Sequence, residues 1–325
     1  MAVEAVETID RQLDVVAATE RCARLPGVLR LPAVVESKAR SPAAGRWLAR
    51  LPGLVAALEE EWSITVGRVH QDATEALVAE AVLADGTPAV LKLVIPQARD
   101  AARREILALQ VVVGDGCASL LRADPERGAP LLERLGPSLS DLDLPIGQRH
   151  QILVSTAQRI WRAAPGCPLP SGAEKGRWLI DLTATKWEEL DRPCSARAVA
   201  HAISCAERRV SAHDDERAVL VHGGVHRWNA LRAGDGFKLV DPDGLLADAE
   251  CDLGVIMRED PEELLTGDPF ERARWLAART GLDERAIWEW GVVERLSSGL
   301  GCTEDGVQPV GRMMLAAADR VAALH

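Results

Sequence analysis

The chain has 325 residues, of which 47% are apolar and 27% charged, with a formal net charge of −11. That is enough apolar material for one large domain or two lobes with real cores, and it excludes a disordered chain. The acidic balance argues against nucleic acid, which requires a basic footprint.

Seven cysteines, Cys22, Cys117, Cys167, Cys194, Cys205, Cys251 and Cys302, are scattered without a C-x-x-C pair. A zinc site or a secreted disulfide framework is not expected, and reduced thiols in a cytoplasm fit. The first residues carry neither a basic region nor a long apolar core, so no export signal is expected. No apolar run reaches the length that spans a bilayer.

In chain order, residues 4–24 and 43–62 have helical apolar spacing, with Pro26 and Pro32 between them. Strands follow at 64–69, 76–83 and 89–95, the last two joined by the hairpin signal Asp85-Gly86. A charged helix spans 100–113, then a strand pair covers 119–122 and 129–135. After Gly136-Pro137 the pattern becomes helical, near 146–162, 195–213, 268–280, 283–298 and 306–323. The Pro- and Gly-rich stretch 165–176 reads as a loop. Short strands interrupt at 219–221, 230–232 and 237–240. The outline is α+β. A helical segment covers 1–62, a small antiparallel sheet with a helix covers 63–136, and a mostly helical lobe covers 137–325. A cleft between the two lobes is where a nucleotide fits.

Lysine is scarce, so Lys92 inside Ala89-Val-Leu-Lys-Leu-Val-Ile95 asks for a reason. An ammonium held on a rigid strand suits phosphate, and Glu105 on the next helix can pair with it. The plain alternative is an edge-strand lysine snorkelling to water. The turn after 66, with Gly67 and Thr74, stands where a phosphate-covering loop belongs, although an ordinary hairpin turn fits as well. The strand ending at Gly136 is by pattern alone just a strand end; in a two-lobed kinase it would be the hinge that recognises adenine through the main chain of Glu133 and Leu135. Asn229 and Asp241, each beside a short strand, offer the hard oxygens that Mg²⁺ prefers. His222 and His226 have the i, i+4 spacing of zinc ligands, but Gly223-Gly224 between them excludes a helix. His222 is read as a structural histidine, and His226 as structural or as a contact to substrate or phosphate. Asp252 is a candidate for holding the loop in shape, and Asp243 for a metal-side or substrate-side carboxylate. No serine or cysteine sits in a nucleophile elbow, which argues against a hydrolase.

Together, His222-Gly223, His226, Asn229 and Asp241-Pro-Asp-Gly244 resemble the His-Gly-Asp-x-His-x-x-Asn and Asp-Pro-x-Gly motifs of the aminoglycoside phosphotransferase superfamily. The streptomycin and hydroxyurea kinase branch is the nearest likeness, over roughly residues 45–325. The resemblance implies a bilobal protein-kinase-like fold. It implies ATP and Mg²⁺ as cofactors, with Lys92 and Glu105 toward the phosphates and Asn229 and Asp241 toward the metal. The acceptor it implies is a small molecule, cationic if the acidic residues Glu259, Asp260, Glu262, Glu263 and Asp268 attract it, though these also read as a solvated face. One position departs from the pattern: Gly224 stands where the family carries its catalytic aspartate. Two functions follow as expectations. One is a phosphotransferase acting on a hydroxyl, weakened by Gly224. The other is a pseudokinase that binds nucleotide or antibiotic without turnover.

Overall fold

A computed structural model describes residues 30–38, 42–96 and 101–324. The helix expected at 4–24 lies outside the described residues. A short helix α1 (Ala33–Lys38) precedes α2 (Pro42–Trp62). Helix α2 buries Ala44, Trp47, Leu51, Val55 and Leu58, the three-and-four spacing of one helical face. It docks on the first strand, where Glu59 accepts a hydrogen bond from the Val66 amide at 2.9 Å.

Five antiparallel strands follow: β1 (Ile64–Val69), β2 (Ala76–Leu83), β3 (Pro88–Val94), then, after helix α3 (Ala101–Val112), β4 (Leu120–Asp124) and β5 (Ala129–Glu133). Their order in the sheet is β1-β2-β3-β5-β4, so β3 is central. Its register pairs Lys92 with Val78 and Leu91 with both Ala79 and Leu131. Gly86 turns the β2–β3 hairpin with φ +88°, and Asp85 accepts from the Thr87 amide at 2.9 Å.

The second lobe begins with a short 3₁₀ turn, Leu139–Asp141, and continues through α4 (Ile146–Gln158), α5 (Gly172–Glu189) and α6 (Ala196–Ala212). Short strands β6 (Val219–Val221), β7 (Ala230–Ala233), β8 (Gly236–Leu239) and β9 (Leu245–Ala247) carry the polar loops. Helices α7 (Glu250–Met257), α8 (Pro261–Thr266), α9 (Glu271–Thr280), α10 (Glu284–Glu304) and α11 (Val310–Ala322) complete it. Helix α5 begins inside the stretch read as a loop. Its start is a capping box: Ser171 accepts from the Glu174 amide at 3.2 Å and Glu174 accepts from the Ser171 amide at 2.7 Å. Helices α7 and α8 and strand β9 also escaped the sequence pattern.

Backbone hydrogen bonds join the lobes, so the described chain from Pro32 onward clusters as one compact unit. The Gly136 amide donates to Arg232 at 2.8 Å, the Arg232 amide to Pro137 at 2.9 Å, and the Ala118 amide to Leu239 at 2.9 Å. The β7–β8 hairpin is thereby clamped to the linker and to the N-lobe.

Helix α10 is buried on nearly every side and forms the centre of the helical lobe. Helix α7 lies directly on it, because Gly254 presents no side chain there. A Cβ at 254 would meet Trp290 Cβ at 2.4 Å and the Gly291 amide at 3.1 Å. Gly254→Ala is therefore an overpacking change, expected to cost about 1–3 kcal/mol. Urea unfolding checks it, and a stability within experimental error of the unsubstituted protein would refute the close contact.

Candidate active site

The site is built from the two loops that β6, β7 and β8 position. Strand β6 delivers His222 and Gly223, and α7 holds them from behind. Asp252, fully buried, accepts from the His222 amide at 3.0 Å and the Gly223 amide at 2.7 Å, and also from the Trp161 indole at 2.9 Å. The loop then folds on itself. His222 Nδ1 accepts from the Gly224 amide at 3.1 Å, and the Asn229 side-chain amide donates to the Gly224 carbonyl at 3.1 Å. Gly223 has φ +86°, and a Cβ there would strike the Asp243 side chain at 2.8 Å, so glycine is required. Gly224 differs: its φ lies outside the left-handed region, and a Cβ there would approach Asn229 Nδ2 at 3.3 Å. A Cβ there requires Asn229 to give by a few tenths of an ångström.

Asn229 and Asp241 meet across the β7–β8 hairpin. The Val240 amide donates to the Asn229 carbonyl at 2.9 Å, which sets Asp241 beside Asn229. Both line one cavity of about 1560 Å³ together with Lys92, Glu105, Thr74 and His226. Lys92 is 7% exposed and projects from the central strand, which excludes the edge-strand reading. Its ammonium donates to Glu105 at 2.7 Å and contacts the Asp241 carboxylate. Desolvation pulls the Lys92 pKa down, but the two carboxylates outweigh it and hold it above the ordinary value. Asp241 has a side chain 54% exposed, yet it sits deep between the lobes. Burial pushes its carboxyl up, and the Lys92 ammonium overrides that and holds it below the ordinary value. Burial pushes Glu105 upward against the pull of Lys92.

An ionised Asp241 and the Asn229 amide oxygen fit Mg²⁺. The Asn229 nitrogen is committed to Gly224, which leaves the oxygen for a ligand. Among the described residues there is no cluster of three acidic, histidine or cysteine groups for a metal.

Other candidates fall differently. Gly67 lies within β1 rather than in the turn, and the turn residues Asp72 to Glu75 line the cavity instead. Glu133 and Leu135 are not on the cavity wall: the Glu133 amide donates to Ser119 at 3.0 Å and its side chain contacts Lys238. Glu259 and Asp260 are buried, so they do not offer an open acidic face. Asp260 holds Arg149, His150 and Arg227, and Arg227 in turn reaches Glu259 at 3.8 Å. Glu263 and Asp268 pair with Arg272 and Arg274. The sequence reading missed the α5 wall, where Lys175 and Trp178 line the cavity. The Ser171-x-x-Glu174 capping signal would have located that helix.

A profile for aminoglycoside/hydroxyurea antibiotic resistance kinases matches residues 61–306. The chain belongs to this family. It is 30% identical over 293 residues to the hydroxyurea phosphotransferase of Kitasatospora aureofaciens, covering 87% of this chain and 83% of that one. It is 28% identical over 281 residues to the streptomycin 6-kinase of Streptomyces glaucescens, covering 80% and 85%. In fold it matches an aminoglycoside phosphotransferase APH(4)-Ia solved with ADP and hygromycin B, at TM-score 0.56 and 13% identity, over 82% of this chain and 97% of that one. The choline kinase LicA of Streptococcus pneumoniae matches at TM-score 0.55 and 14% identity, over 84% and 100%. The fold of this family member is thus bilobal and protein-kinase-like. No described helix is long and apolar enough to cross a membrane.

His222 gives a pH test of the loop. Burial pushes its imidazole down to about 4, while the Asp241 carboxylate and the Val240 backbone push the other way. The unfolded imidazole takes its proton near pH 6.5, so protonation favours unfolding between about pH 6.5 and 4. The neutral ring's contribution is whole above pH 6.5 and falls by about 1.4 kcal/mol per pH unit below it. His222→Asn keeps an acceptor for the Gly224 amide. It is expected to be less stable at pH 7 but to lose less on acidification. Urea midpoints at pH 7, 6 and 5 check this, and parallel slopes for the two proteins would contradict it.

Proposed function

We propose that the chain transfers a phosphoryl group from ATP, with Mg²⁺, to a hydroxyl of an aminoglycoside-like or other small molecule, at a rate lowered by Gly224. The observation that carries this reading is the convergence of Lys92, Asn229 and Asp241 on one cavity whose wall includes the catalytic loop. Membership of the family supports the reaction class.

In this reading the Lys92 ammonium takes hold of the nucleotide phosphates, and Glu105 fixes its aim. Asn229 and Asp241 hold Mg²⁺, which neutralises charge on the phosphate oxygens when bound. The Asp72–Glu75 turn, with Thr74, covers the phosphates. Glu133 and Leu135 lie off the wall of this cavity, so no adenine contact is assigned to them. His222 keeps the catalytic loop in shape, and His226 flanks the acceptor. Phosphoryl transfer depends mostly on positioning and electrostatics. Nucleotide binding therefore survives without an aspartate at 224, while a missing general base costs roughly 10²–10⁴-fold in rate.

Gly224→Asp tests this with streptomycin and hydroxyurea as probe acceptors. The expected result is a rise in acceptor-dependent ADP release of about 10²-fold or more, with Mg²⁺–ADP affinity changed less than about threefold. Adding Asp241→Ala abolishes the gain. Nucleotide binding with no transfer in either form would favour a binding module, and no nucleotide binding would remove the kinase reading.

A further inference from the structure

Most carboxylates around the cavity are committed to neighbours. Asp241 and Glu105 hold Lys92. Asp141 and Glu174 close capping boxes at Ser138 and Ser171. Glu75 pairs with Lys38 at 2.5 Å. Asp72 lies in the N-lobe turn after β1.

Asp72 and Asp243 have no such partner among the described residues, and Asp243 is the one beside the loop that carries position 224. It is exposed to the cavity, and among the described residues its carboxylate makes no hydrogen bond or ion pair. Its backbone is fixed, because the Asp243 amide donates to the His222 carbonyl at 2.8 Å. That bond lays the side chain across the catalytic loop. An ideal Cβ on Gly223 would meet both Asp243 Cβ and Oδ2 at 2.8 Å. The missing Cβ at 223 is therefore the space that the Asp243 side chain occupies, one residue from position 224. The buried Lys175 ammonium, paired with Glu294 at 2.7 Å, lines the same cavity.

We propose that Asp243 supplies the acceptor-side carboxylate that position 224 lacks, accepting a hydrogen bond from the acceptor hydroxyl and so orienting it. This rests on the function proposed above and assigns the residue that holds the second substrate. The histidines do not compete for that place. His222 is fully buried, and its Nδ1 already takes the Gly224 amide. His226 sets its ring against Trp228, with centroids 5.8 Å apart, and its Nδ1 is buried.

The test is a double-substitution cycle with streptomycin as the probe acceptor. Four proteins are compared: the unsubstituted chain, Asp243→Ala, Gly224→Asp and the pair together. Calorimetry with Mg²⁺–ADP present reads streptomycin binding, and ADP release reads transfer. Asp243→Ala is expected to weaken streptomycin binding about tenfold when residue 224 is glycine, the scale of a lost charged hydrogen bond. In the Gly224→Asp background the loss falls to about threefold or less, because the new carboxylate takes over the hydroxyl. Asp243→Asn, which keeps shape, should lose affinity in the same direction with an unchanged melting temperature. Equal losses in both backgrounds, or none when residue 224 is glycine, overturn the assignment while leaving the kinase reading intact. Failure of Gly224→Asp to transfer phosphate to either probe overturns the kinase reading, and this assignment falls with it.

Discussion

A buried ammonium on the central strand organises the cleft. Lys92 is almost fully buried, and an unpaired charge there would be strongly destabilising. Glu105 from α3 and Asp241 from the β8 loop supply the two partners, one from each lobe. The pair with Glu105 fixes the direction of the side chain. The contact with Asp241 ties the N-lobe sheet to the loop that would hold metal. For nucleotide to bind as proposed, phosphate must take the place of Asp241 at the ammonium, and metal must take the place of the ammonium at Asp241. The same charges thus hold the free cleft together and suit it to a phosphate with a divalent cation.

The catalytic loop shows that shape and chemistry are separable. Asp252 grips two consecutive amides from behind, and α7 is pressed onto α10 through Gly254, so the grip is anchored in the core. None of these contacts involves a side chain at position 224. The scaffold around position 224 is therefore complete with glycine there. The backbone at Gly224 lies outside the left-handed region, whereas at Gly223 it is left-handed.

Local signals in the sequence were strong for the sheet. The Asp85-Gly86 turn and alternating strands placed β2 and β3, and with them Lys92. The His-Gly loop and the Asp-Pro-Asp-Gly turn placed Asn229 and Asp241, because each is fixed by its own short strand. Helix α5 was hidden because proline and glycine at 165–176 look like a loop, although the same stretch holds a capping box. Glu259 and Asp260 depart from the solvated face that Glu262, Glu263 and Asp268 form, for a different reason. Asp260 is buried against Arg149, which is far away in sequence, so that pairing cannot be read locally. The direction of Asp243 was equally illegible, since a backbone bond to His222 and the empty side of Gly223 set it.

The account is tested most directly by a crystal structure with Mg²⁺ and ADP. It predicts the ion on the Asn229 amide oxygen and the Asp241 carboxylate, with Lys92 moved from Asp241 to a phosphate oxygen while keeping Glu105. An ion bound elsewhere, or phosphates outside this cavity with Lys92 still on Asp241, would contradict it.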